Sequence, residues 1–421
     1  MRFLLLPMKF PVEPARSYLT TELADALLDA GHEVEVLHLD WDARPGERTR
    51  RLTSRRGIPV VRVGPRAVGR PGSVLYKASK FILSSRHVGR EAMRHLEIGG
   101  FDVIVAWMPG SAFAPVIRDA ARAGVRARLL FVGDFFPDHH CEIGVIPRGP
   151  FRWAAKYREQ GVLRRFTAIF CTLPANCEYL RQRFRLTSGQ QVRVVPNWTS
   201  LEAATACDRA DVRARYGLPA AAPIAVFGGQ IAAGRGFDQM LEAAEIAHRC
   251  GSPFVFLFVG DGPLTGELAR NAALKPNVLH LPALPTDRFR ELLGACDVGM
   301  VATVPGVTSQ TTPSKTLDYL KAGLPFVIAV EPGSEFATLF ERYNVGRAVA
   351  FGDAFAFQRE AAFLAGDRAF RRGLAERTYK CLAEIFDVRL AVSAVLDAAS
   401  ERQENSTSIM NPALNAACVA K

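Results

Sequence analysis

The sequence lacks the cysteine patterns that bind metals or build disulfide frameworks. Its eight cysteines are scattered, with no C-x-x-C pair and no metal-type spacing to the eight histidines. The longest stretch without a charged residue, Tyr216 to Gly234, contains two prolines and four glycines, so it does not predict a membrane-spanning helix. The apolar run from Phe3 to Met8 is too short for a secretory signal. We therefore expect a cytoplasmic protein with reduced cysteines and no bound metal.

Positive charge is plentiful but unevenly spread over the 421 residues. Residues 44–94, which we call the basic block, contain fourteen Lys and Arg against two Glu, whereas the net charge of the whole chain is +11. A solvated face, an anionic membrane surface, a phosphorylated acceptor and a nucleic acid are all compatible with such a block. The block offers only Tyr76 and Phe81 for base stacking and contains no nucleic-acid motif, which disfavours the last of these.

One segment of the basic block, residues 73–83, mixes apolar and cationic side chains. This pattern predicts a short interfacial helix on an anionic membrane surface, with its apolar side chains below its charged ones. The side chains concerned are Leu75, Phe81, Ile82 and Leu83 beside Lys77 and Lys80.

Hydrophobic patterning predicts two successive α/β domains, which the composition of 49% apolar and 23% charged residues can support. The first, residues 1–198, has strands predicted at 2–8, 33–39, 101–108, 127–134, 166–172 and 192–197. The second, residues 223–375, has strands predicted at 223–229, 253–260, 277–284, 296–303 and 324–331. Helical segments between the strands indicate doubly wound parallel sheets. We predict a linker at 199–222, a helix at 376–400 and a disordered polar tail at 401–421.

Parallel sheets bind ligands at the carboxyl ends of their strands, so the loops that follow the strands are candidate sites. In the loop 228–236 (GGQIAAGRG), glycine backbone and a helix N-terminus can approach a phosphate, and Arg235 can close on it. The turn 259–263 (VGDGP) leaves backbone groups free to contact a base or ribose. Taken alone, the first motif is equally compatible with an ordinary tight turn, and the second favours one.

A third element, residues 311–325, brings Lys315 and Asp318 three residues apart on one helical face. In one interpretation they form an exposed i,i+3 ion pair, which contributes only ~0.2–0.5 kcal/mol. In the other, Lys315 meets a diphosphate and Asp318 accepts hydrogen bonds from a ribose diol.

The order of these motifs resembles the donor half of the family 4 glycosyltransferases, most closely the branch that builds bacterial capsule, O-antigen and colanic-acid polysaccharides. The resemblance rests on GGQIAAGRG (228–236), VGDGP (259–263), NVLHL (277–281), ACDV (295–298) and PSKTLDYLKAG (313–323). In the first half, GHEV (31–34), GDFFPDHHCEIG (133–144) and VPNW (195–198) are similar to segments of that branch. The resemblance covers about residues 1 to 400.

The resemblance implies the GT-B fold, in which two Rossmann-like doubly wound domains face a central cleft and the last helix returns to the first domain. It also implies sugar transfer from a nucleoside diphosphate with retention at the anomeric carbon and without a metal or other cofactor. Family frequency favours UDP. We expect a hexosyltransferase of polysaccharide biosynthesis, peripheral on the inner face of the membrane, with a saccharide or lipid-linked acceptor and no nucleic-acid partner. The alternatives are a nucleotide-sugar epimerase of the same fold and a basic nucleic-acid-binding protein.

Carried over by position, the resemblance implies a donor site in the second domain. Asp318 matches the second glutamate of the family's E-x7-E motif, which holds the ribose, and Gln310 stands where the first glutamate belongs. Arg235 matches a phosphate-binding lysine, Gln230 replaces its basic partner, and Lys315 becomes the second cation. The full expected donor set is Gly229, Gln230, Gly234, Arg235, Gly260, Asp261, Gly262, Gln310, Ser314, Lys315 and Asp318.

In the first domain, the family's catalytic-region histidine falls at Gly133, and Asp134 matches an acidic residue of the polysaccharide branch. We therefore expect catalysis from Asp134 together with Arg235 and Lys315, with His139 or His140 assisting proton transfer. The alternative for Asp134 is a buried structural carboxylate at a strand end. Glu13 and Arg16 are acceptor-side candidates, or solvated loop charges.

Overall fold

The computed structural model describes residues 1–13, 17–202, 207–232, 235–303 and 306–401. The chain forms two units. Unit 1 contains Met1–Asn197 and the helix that begins at Val388, and unit 2 contains Trp198–Asp387. The expected linker, residues 199–222, and the expected end of the second domain at 375 differ from these bounds.

The sheet of unit 1 has eight strands in the order β3-β4-β2-β1-β5-β6-β7-β8. All neighbours are parallel except β3 and β4, which are antiparallel. The strands are β1 (Arg2–Leu6), β2 (Glu33–Leu39), β3 (Arg50–Thr53), β4 (Pro59–Val63), β5 (Val103–Trp107), β6 (Ala127–Val132), β7 (Ala168–Cys171) and β8 (Gln191–Val194). The central strands are buried on both faces and therefore appear in the sequence as continuous apolar runs.

Helices cover both faces of this sheet. They are α1 (Leu19–Asp29), α2 (Val74–His95), α3 (Ala114–Arg122), α4 (Asp138–Glu142), α5 (Pro150–Leu163) and α6 (Pro174–Arg183), with 3-10 turns at Ile98–Gly100 and Gly110–Phe113. In α1, Leu23 and Leu27 occupy one face and are fully buried. Gly31, at φ 80°, follows the end of α1 and leads the chain into β2.

Unit 2 contains a six-stranded sheet in the order β11-β10-β9-β12-β13-β14, and all of its pairs are parallel. The strands are β9 (Ile224–Gly228), β10 (Val255–Val259), β11 (Val278–Leu281), β12 (Val298–Ala302), β13 (Phe326–Val330) and β14 (Gly346–Ala350). The helices are α7 (Arg209–Arg215), α8 (Phe237–Arg249), α9 (Thr265–Leu274), α10 (Thr286–Gly294), α11 (Lys315–Lys321), α12 (Glu335–Arg342), α13 (Ala354–Gly366), α14 (Arg368–Arg371) and α15 (Leu374–Cys381). The expected α/β fold class with two parallel doubly wound sheets is confirmed.

The segment expected to be a linker contains the helix α7, which is anchored in unit 2. Arg213 is 2% exposed and donates to Asp297 Oδ2 at 2.9 Å, while Asp297 Oδ2 also accepts from the Ile224 N–H at 2.8 Å. Asp208 caps the helix by accepting from the N–H groups of Ala210 and Asp211. These contacts hold in place a helix within a segment that the sequence predicted to be a linker.

The chain leaves unit 2 through a π-helical turn, Leu382–Phe386, and enters α16 (Val388–Ser400). The helix α16 packs on α1 and β6 of unit 1. The predicted single helix 376–400 is therefore divided between the two units at Asp387. The tail predicted to be disordered lies, from residue 402 onward, outside the described residues.

Candidate functional site

The first candidate site lies where the strand order of unit 2 reverses. The chain runs from β9 outward through β10 to β11 and then returns to β12 on the other side of β9. Loops that leave β9 and β12 consequently diverge at their carboxyl ends, which is where open parallel sheets bind ligands. The loop after β9 leads to α8, and the segment after β12 leads to α11.

The glycine-rich loops after β9 and β10 are locked together. The Gly229 N–H donates to Val259 O and the Ile231 N–H donates to Asp261 O, both at 3.0 Å. A Cβ on Gly260 would lie 1.9 Å from Gly229 O, and one on Gly262 would lie 2.2 Å from Ile231 O. The close approach of the two backbones therefore explains why glycine occupies positions 260 and 262. The Asp261 carboxylate accepts from the Ala283 N–H at 3.0 Å.

The loop after β9 ends at Gly236, which begins α8 in the left-handed conformation at φ 70°. A Cβ on Gly236 would lie 2.1 Å from the Ala302 Cβ, so α8 starts directly against the end of β12. The neighbouring Arg235 is exposed, as is Gln230, and Arg235 forms no hydrogen bond or ion pair with the part of the chain that the structure describes. Gly234 lies outside the described residues. The amino end of α8 and Arg235 together present positive charge.

Lys315 supplies a second cation beside this loop. Its ammonium lies 3.7 Å from the centroid of the Phe227 ring, and its Cε lies 3.8 Å from the position that a Cβ on Gly229 would occupy. The residue as a whole is partly exposed, but burial of its ammonium, and to a smaller extent the nearby Arg235, holds the pKa of Lys315 well below its usual value. Among the described residues no carboxylate pairs with it.

Asp318 lies one turn further along α11 and pairs with a residue that the sequence did not indicate. Arg290 Nε, on α10, is 3.9 Å from Asp318 Oδ1, so Asp318 pairs with Arg290 and not, as the ion-pair interpretation had it, with Lys315. The two partners are 28 positions apart in the sequence. Only the packing of α10 near α11 brings them together, and no local pattern could have predicted it.

Tyr319 fixes α11 on the sheet. It is fully buried, its hydroxyl lies 3.1 Å from Val226 O and 3.2 Å from Met300 O, and it accepts from the Gly228 N–H at 3.3 Å. Val226 is on β9 and Met300 on β12, so this hydroxyl ties α11 across the reversal of the sheet. Its neighbours Asp318 and Lys315 are thereby held at the carboxyl edge, whereas Ser314, directly before α11, is exposed.

Gln310, expected in the donor site, has both ends of its amide hydrogen-bonded within unit 2. Its Oε1 accepts from the Glu335 N–H at 2.9 Å, and its Nε2 donates to Gly333 O at 3.3 Å. Both ends of the amide therefore hold the loop before α12. An amide can do this because it both donates and accepts, which a carboxylate cannot.

The second candidate site lies after β6 in unit 1. Asp134 has a side chain that is 60% exposed, so the alternative of a buried structural carboxylate is wrong. Its Oδ1 is 3.8 Å from Nε2 of His139, which is 7% exposed. Burial lowers the pKa of His140, whose ring packs on Phe136 with centroids 5.4 Å apart. An exposed carboxylate beside a buried imidazole is suited to proton transfer.

Two buried carboxylates that the sequence did not indicate support this region. Asp138 is 2% exposed, accepts from Arg152 at 2.9 Å and pairs with Lys156, which fixes α4 against α5. Glu159 is fully buried and accepts from the Gly110 N–H at 2.7 Å and the Ser111 N–H at 3.1 Å. Burial raises the pKa of Glu159. Both residues stabilise the scaffold around Asp134 and His139.

The remaining acceptor-side candidates are only partly described. Glu13 is exposed in the loop after β1. Arg16 lies outside the described residues. In the basic block, the predicted helix 73–83 forms the first half of α2.

Half of the side chains predicted to face a membrane instead contact other parts of unit 1. Phe81 stacks on Phe136 at 5.0 Å, Lys80 Nζ donates to Trp41 O at 2.8 Å, and Lys77 Nζ donates to Val145 O at 3.1 Å. Leu75 and Ile82 remain exposed, at 68% and 38%. The expected apolar surface is therefore smaller than predicted, because Phe81 faces the interior.

The described residues lack two further features. They contain no group of three or more His, Cys, Asp or Glu side chains arranged to hold a metal ion. In the same residues no helix has both the length and the apolar character needed to cross a bilayer.

Comparisons with known proteins agree with the fold and with the order of the two units. A family model described as Glycosyltransferase Family 4 matches residues 17–203, and one described as Glycosyl transferases group 1 matches residues 222–367. A curated relative, the alpha-D-kanosaminyltransferase of Streptomyces kanamyceticus, is 30% identical over 118 residues, which are 28% of this chain and 30% of that enzyme. The match thus spans less than a third of the relative's length.

Solved structures match nearly the whole chain. Sucrose-phosphate synthase from Thermosynechococcus elongatus superposes with a TM-score of 0.67 at 17% identity, covering 95% of this chain and 100% of that one. HepE of Anabaena, solved with UDP and glucose, gives 0.66 at 16% identity and covers 95% and 99%. At these identities the likeness concerns the fold, which is that of the GT-B glycosyltransferases. With both family models matched in order, the chain belongs to glycosyltransferase family 4.

Proposed function

We propose that this glycosyltransferase moves a hexose, with retention at the anomeric carbon, from a UDP-sugar to a saccharide acceptor in polysaccharide biosynthesis. The proposal includes no metal or other cofactor. Unit 2 holds the donor and unit 1 binds the acceptor. Two glycosyltransferase family models on one chain favour transfer over the alternatives of epimerisation and nucleic-acid binding.

The strongest support for the proposal is the pair of cations at the carboxyl edge of β9, Arg235 and Lys315, which no carboxylate among the described residues neutralises. Lys315 keeps its ammonium desolvated over Phe227, and Arg235 lowers its pKa further. A site with two close cations and a helix N-terminus is unfavourable when empty and favourable when occupied by an anion. A diphosphate has the charge and size to contact both cations, and Arg235 can bind it as a fork.

Asp318 is the proposed partner of the ribose. Its carboxylate can accept from both hydroxyls of a diol, and Arg290 Nε lies 3.9 Å from its Oδ1. The aspartate is one methylene shorter than the glutamate of the family motif, and the buried Tyr319 beside it holds α11 close to β9. The UDP assignment is supported by HepE, which has been solved in complex with UDP-glucose.

Catalysis in this proposal is mainly electrostatic. As the bond between the anomeric carbon and the diphosphate oxygen breaks, negative charge accumulates on the leaving group, and Arg235 and Lys315 stabilise it. The acceptor hydroxyl attacks the same face of the sugar, and its proton passes to the departing diphosphate or to the pair of Asp134 and His139. His140 is the remaining candidate for assisting this transfer, and Glu13 and Arg16 are proposed to contact the acceptor.

The acceptor is proposed to be lipid-linked, which would keep the enzyme at the cytoplasmic face of an anionic membrane. The support is the charge of the basic block together with the exposed Leu75 and Ile82 on α2. Apolar side chains flanked by cations suit a shallow interfacial contact.

The experiment that tests the donor assignment is a thermal-shift panel. A ligand that binds only the native protein raises its melting temperature in proportion to RT ln(1 + [L]/Kd). We expect UDP-sugars to stabilise the protein more than GDP-, ADP- or TDP-sugars at equal concentration. If none of the nucleotide sugars raises the melting temperature, the proposed function is wrong. Consumption of the nucleotide sugar without any acceptor, with an isomeric nucleotide sugar as product, would instead support the epimerase.

A further inference from the structure

A carboxylate oxygen at the carboxyl edge of unit 2 is buried without a hydrogen bond. Glu331 directly follows β13, and its Oε2 accepts from the Thr303 hydroxyl at 2.9 Å. Its Oε1 is buried and, within the described ranges, has no hydrogen-bond partner. A buried acceptor left unsatisfied costs free energy, and a catalytic role or a bound water, ion or ligand can account for one in a native structure.

The position of Glu331 connects it with the loop that carries Arg235. Thr303, which holds the Glu331 carboxylate, directly follows Ala302 at the end of β12. Ala302 in turn touches Gly236, where a Cβ would lie 2.1 Å from the Ala302 Cβ. Glu331 is therefore linked through two adjacent residues to the amino end of α8, where the diphosphate is proposed to bind.

Among the described residues, Glu331 has no cation that neutralises it. No ion pair with Glu331 is formed by any Lys or Arg in the described part of unit 2. Gln310, expected in the donor site, is hydrogen-bonded to Gly333 and Glu335. Glu331 therefore supplies a strong acceptor at this edge of the sheet, with an amide nearby that already makes two hydrogen bonds.

We propose that Glu331 Oε1 accepts a hydrogen bond from a hydroxyl of the donor's hexose and so helps to select the sugar. This inference rests on the proposed function, because it requires a nucleotide sugar at the site. A neutral hydroxyl is the suitable partner, since it donates to an anionic oxygen without adding charge beside the two cations of the diphosphate site. Thr303 holds the carboxylate in place by its other oxygen.

The test compares the affinity for a nucleotide with that for the matching nucleotide sugar, using the full chain. Isothermal titration with UDP and with UDP-glucose is carried out on wild type, Glu331→Gln, Glu331→Ala and the control Glu376→Gln, an exposed residue of α15. We expect both Glu331 variants to bind UDP-glucose ~10-fold more weakly and UDP within about twofold of wild type, as for the loss of one charged hydrogen bond. The control should match wild type for both ligands.

UDP-deoxyglucose analogues identify the hydroxyl. The analogue that lacks the contacted hydroxyl should bind more weakly to wild type but show no further loss with Glu331→Ala, since the two changes remove the same bond. Equal losses for UDP and UDP-glucose, or no loss for either, would overturn the inference while leaving the donor site intact. If wild type binds neither UDP nor UDP-glucose, the UDP-sugar assignment fails and the inference fails with it.

Discussion

Lys315→Met is expected to make the empty protein more stable and the enzyme worse at binding its donor. Methionine retains an unbranched apolar stem that can stay packed on Phe227 but removes the desolvated charge. The favourable contact of the ammonium with the Phe227 ring, about 0.5–2 kcal/mol, offsets only part of the desolvation, since the pKa of Lys315 remains well below its usual value. Removing the charge should therefore raise the melting temperature.

Lys315→Met should thus increase the stability of the empty protein and decrease its affinity for UDP. The two effects can be measured separately. Each kcal/mol of stabilisation should raise the melting temperature of a domain of this size by about 2–4 °C. Loss of a charged hydrogen bond to the diphosphate, about 1.5–3 kcal/mol, should weaken UDP binding by roughly 10- to 150-fold. Lys380→Met, at an exposed lysine of the same unit, is the matched control and should change neither quantity appreciably.

The pH dependence follows from the same pKa. In the unfolded chain Lys315 has its ordinary pKa, so between the lowered folded pKa and the ordinary one the unfolded state binds more protons, and stability rises with pH. Below the pKa of Lys315 in the folded protein, the ammonium is charged in both states, and its burial destabilises the fold by the full amount. A bound diphosphate raises the pKa of Lys315 again, so UDP affinity should fall as pH rises through the pKa of the free protein, by at most tenfold per pH unit. Lys315→Met should abolish both trends.

Calorimetric scans without ligand and titrations with UDP between pH 6 and pH 10 measure these quantities. A Lys315→Met protein that is folded, less stable than wild type and unchanged in UDP affinity would refute the assignment. That combination would mean that the ammonium contributes to packing and does not meet the diphosphate.

The other predictions concern separate parts of the molecule. Asp318→Ala should abolish UDP-sugar binding in a thermal-shift assay. The circular dichroism spectrum should stay unchanged, because the side chain is a partly exposed ion-pair partner. Undiminished affinity in a folded variant would contradict the proposed contact with the ribose. Asp134→Asn should retain UDP binding and lose transfer by a factor of ~100 or more in a radiolabelled-sugar assay, and wild-type rates would exclude it from proton transfer. The wild-type protein should float with phosphatidylglycerol liposomes at low salt and detach at high salt, and Leu75→Ser should weaken flotation; protein that stays in the soluble fraction at low salt would rule out the membrane contact.

The fold could be predicted because most strands of both units are buried runs with glycine or proline at their ends. The β3–β4 hairpin was missed, since β3 begins Arg50-Arg51 and lies at the sheet edge, where burial imposes little pattern. The helix α7 was missed for a different reason. Its sequence resembles a polar connection, and its position depends on the long-range contact between Arg213 and Asp297.

In the candidate site too, local sequence patterns were informative and long-range contacts were not. Local motifs indicated Arg235, Lys315 and Asp318, because a loop from strand to helix brings its own residues to the carboxyl edge. Partners from distant segments carried no local signal, as with Arg290 beside Asp318. The hydrogen bonds of Gln310 to Gly333 and Glu335 carried no local signal either, because position in a motif does not reveal them.

The interlocking of the two glycine-rich loops has a consequence for protein engineering. Gly229 and Ile231 continue the hydrogen-bonding pattern of β9 with the segment 259–261. The two loops therefore behave as a single structural element. Exchange of the 229–236 loop alone for that of another transferase would place a different backbone against Gly260 and Gly262, where the native carbonyl oxygens of Gly229 and Ile231 already leave no room for a Cβ. Chimeras intended to change the donor should therefore transplant both loops together, and randomised libraries should leave Gly260 and Gly262 untouched.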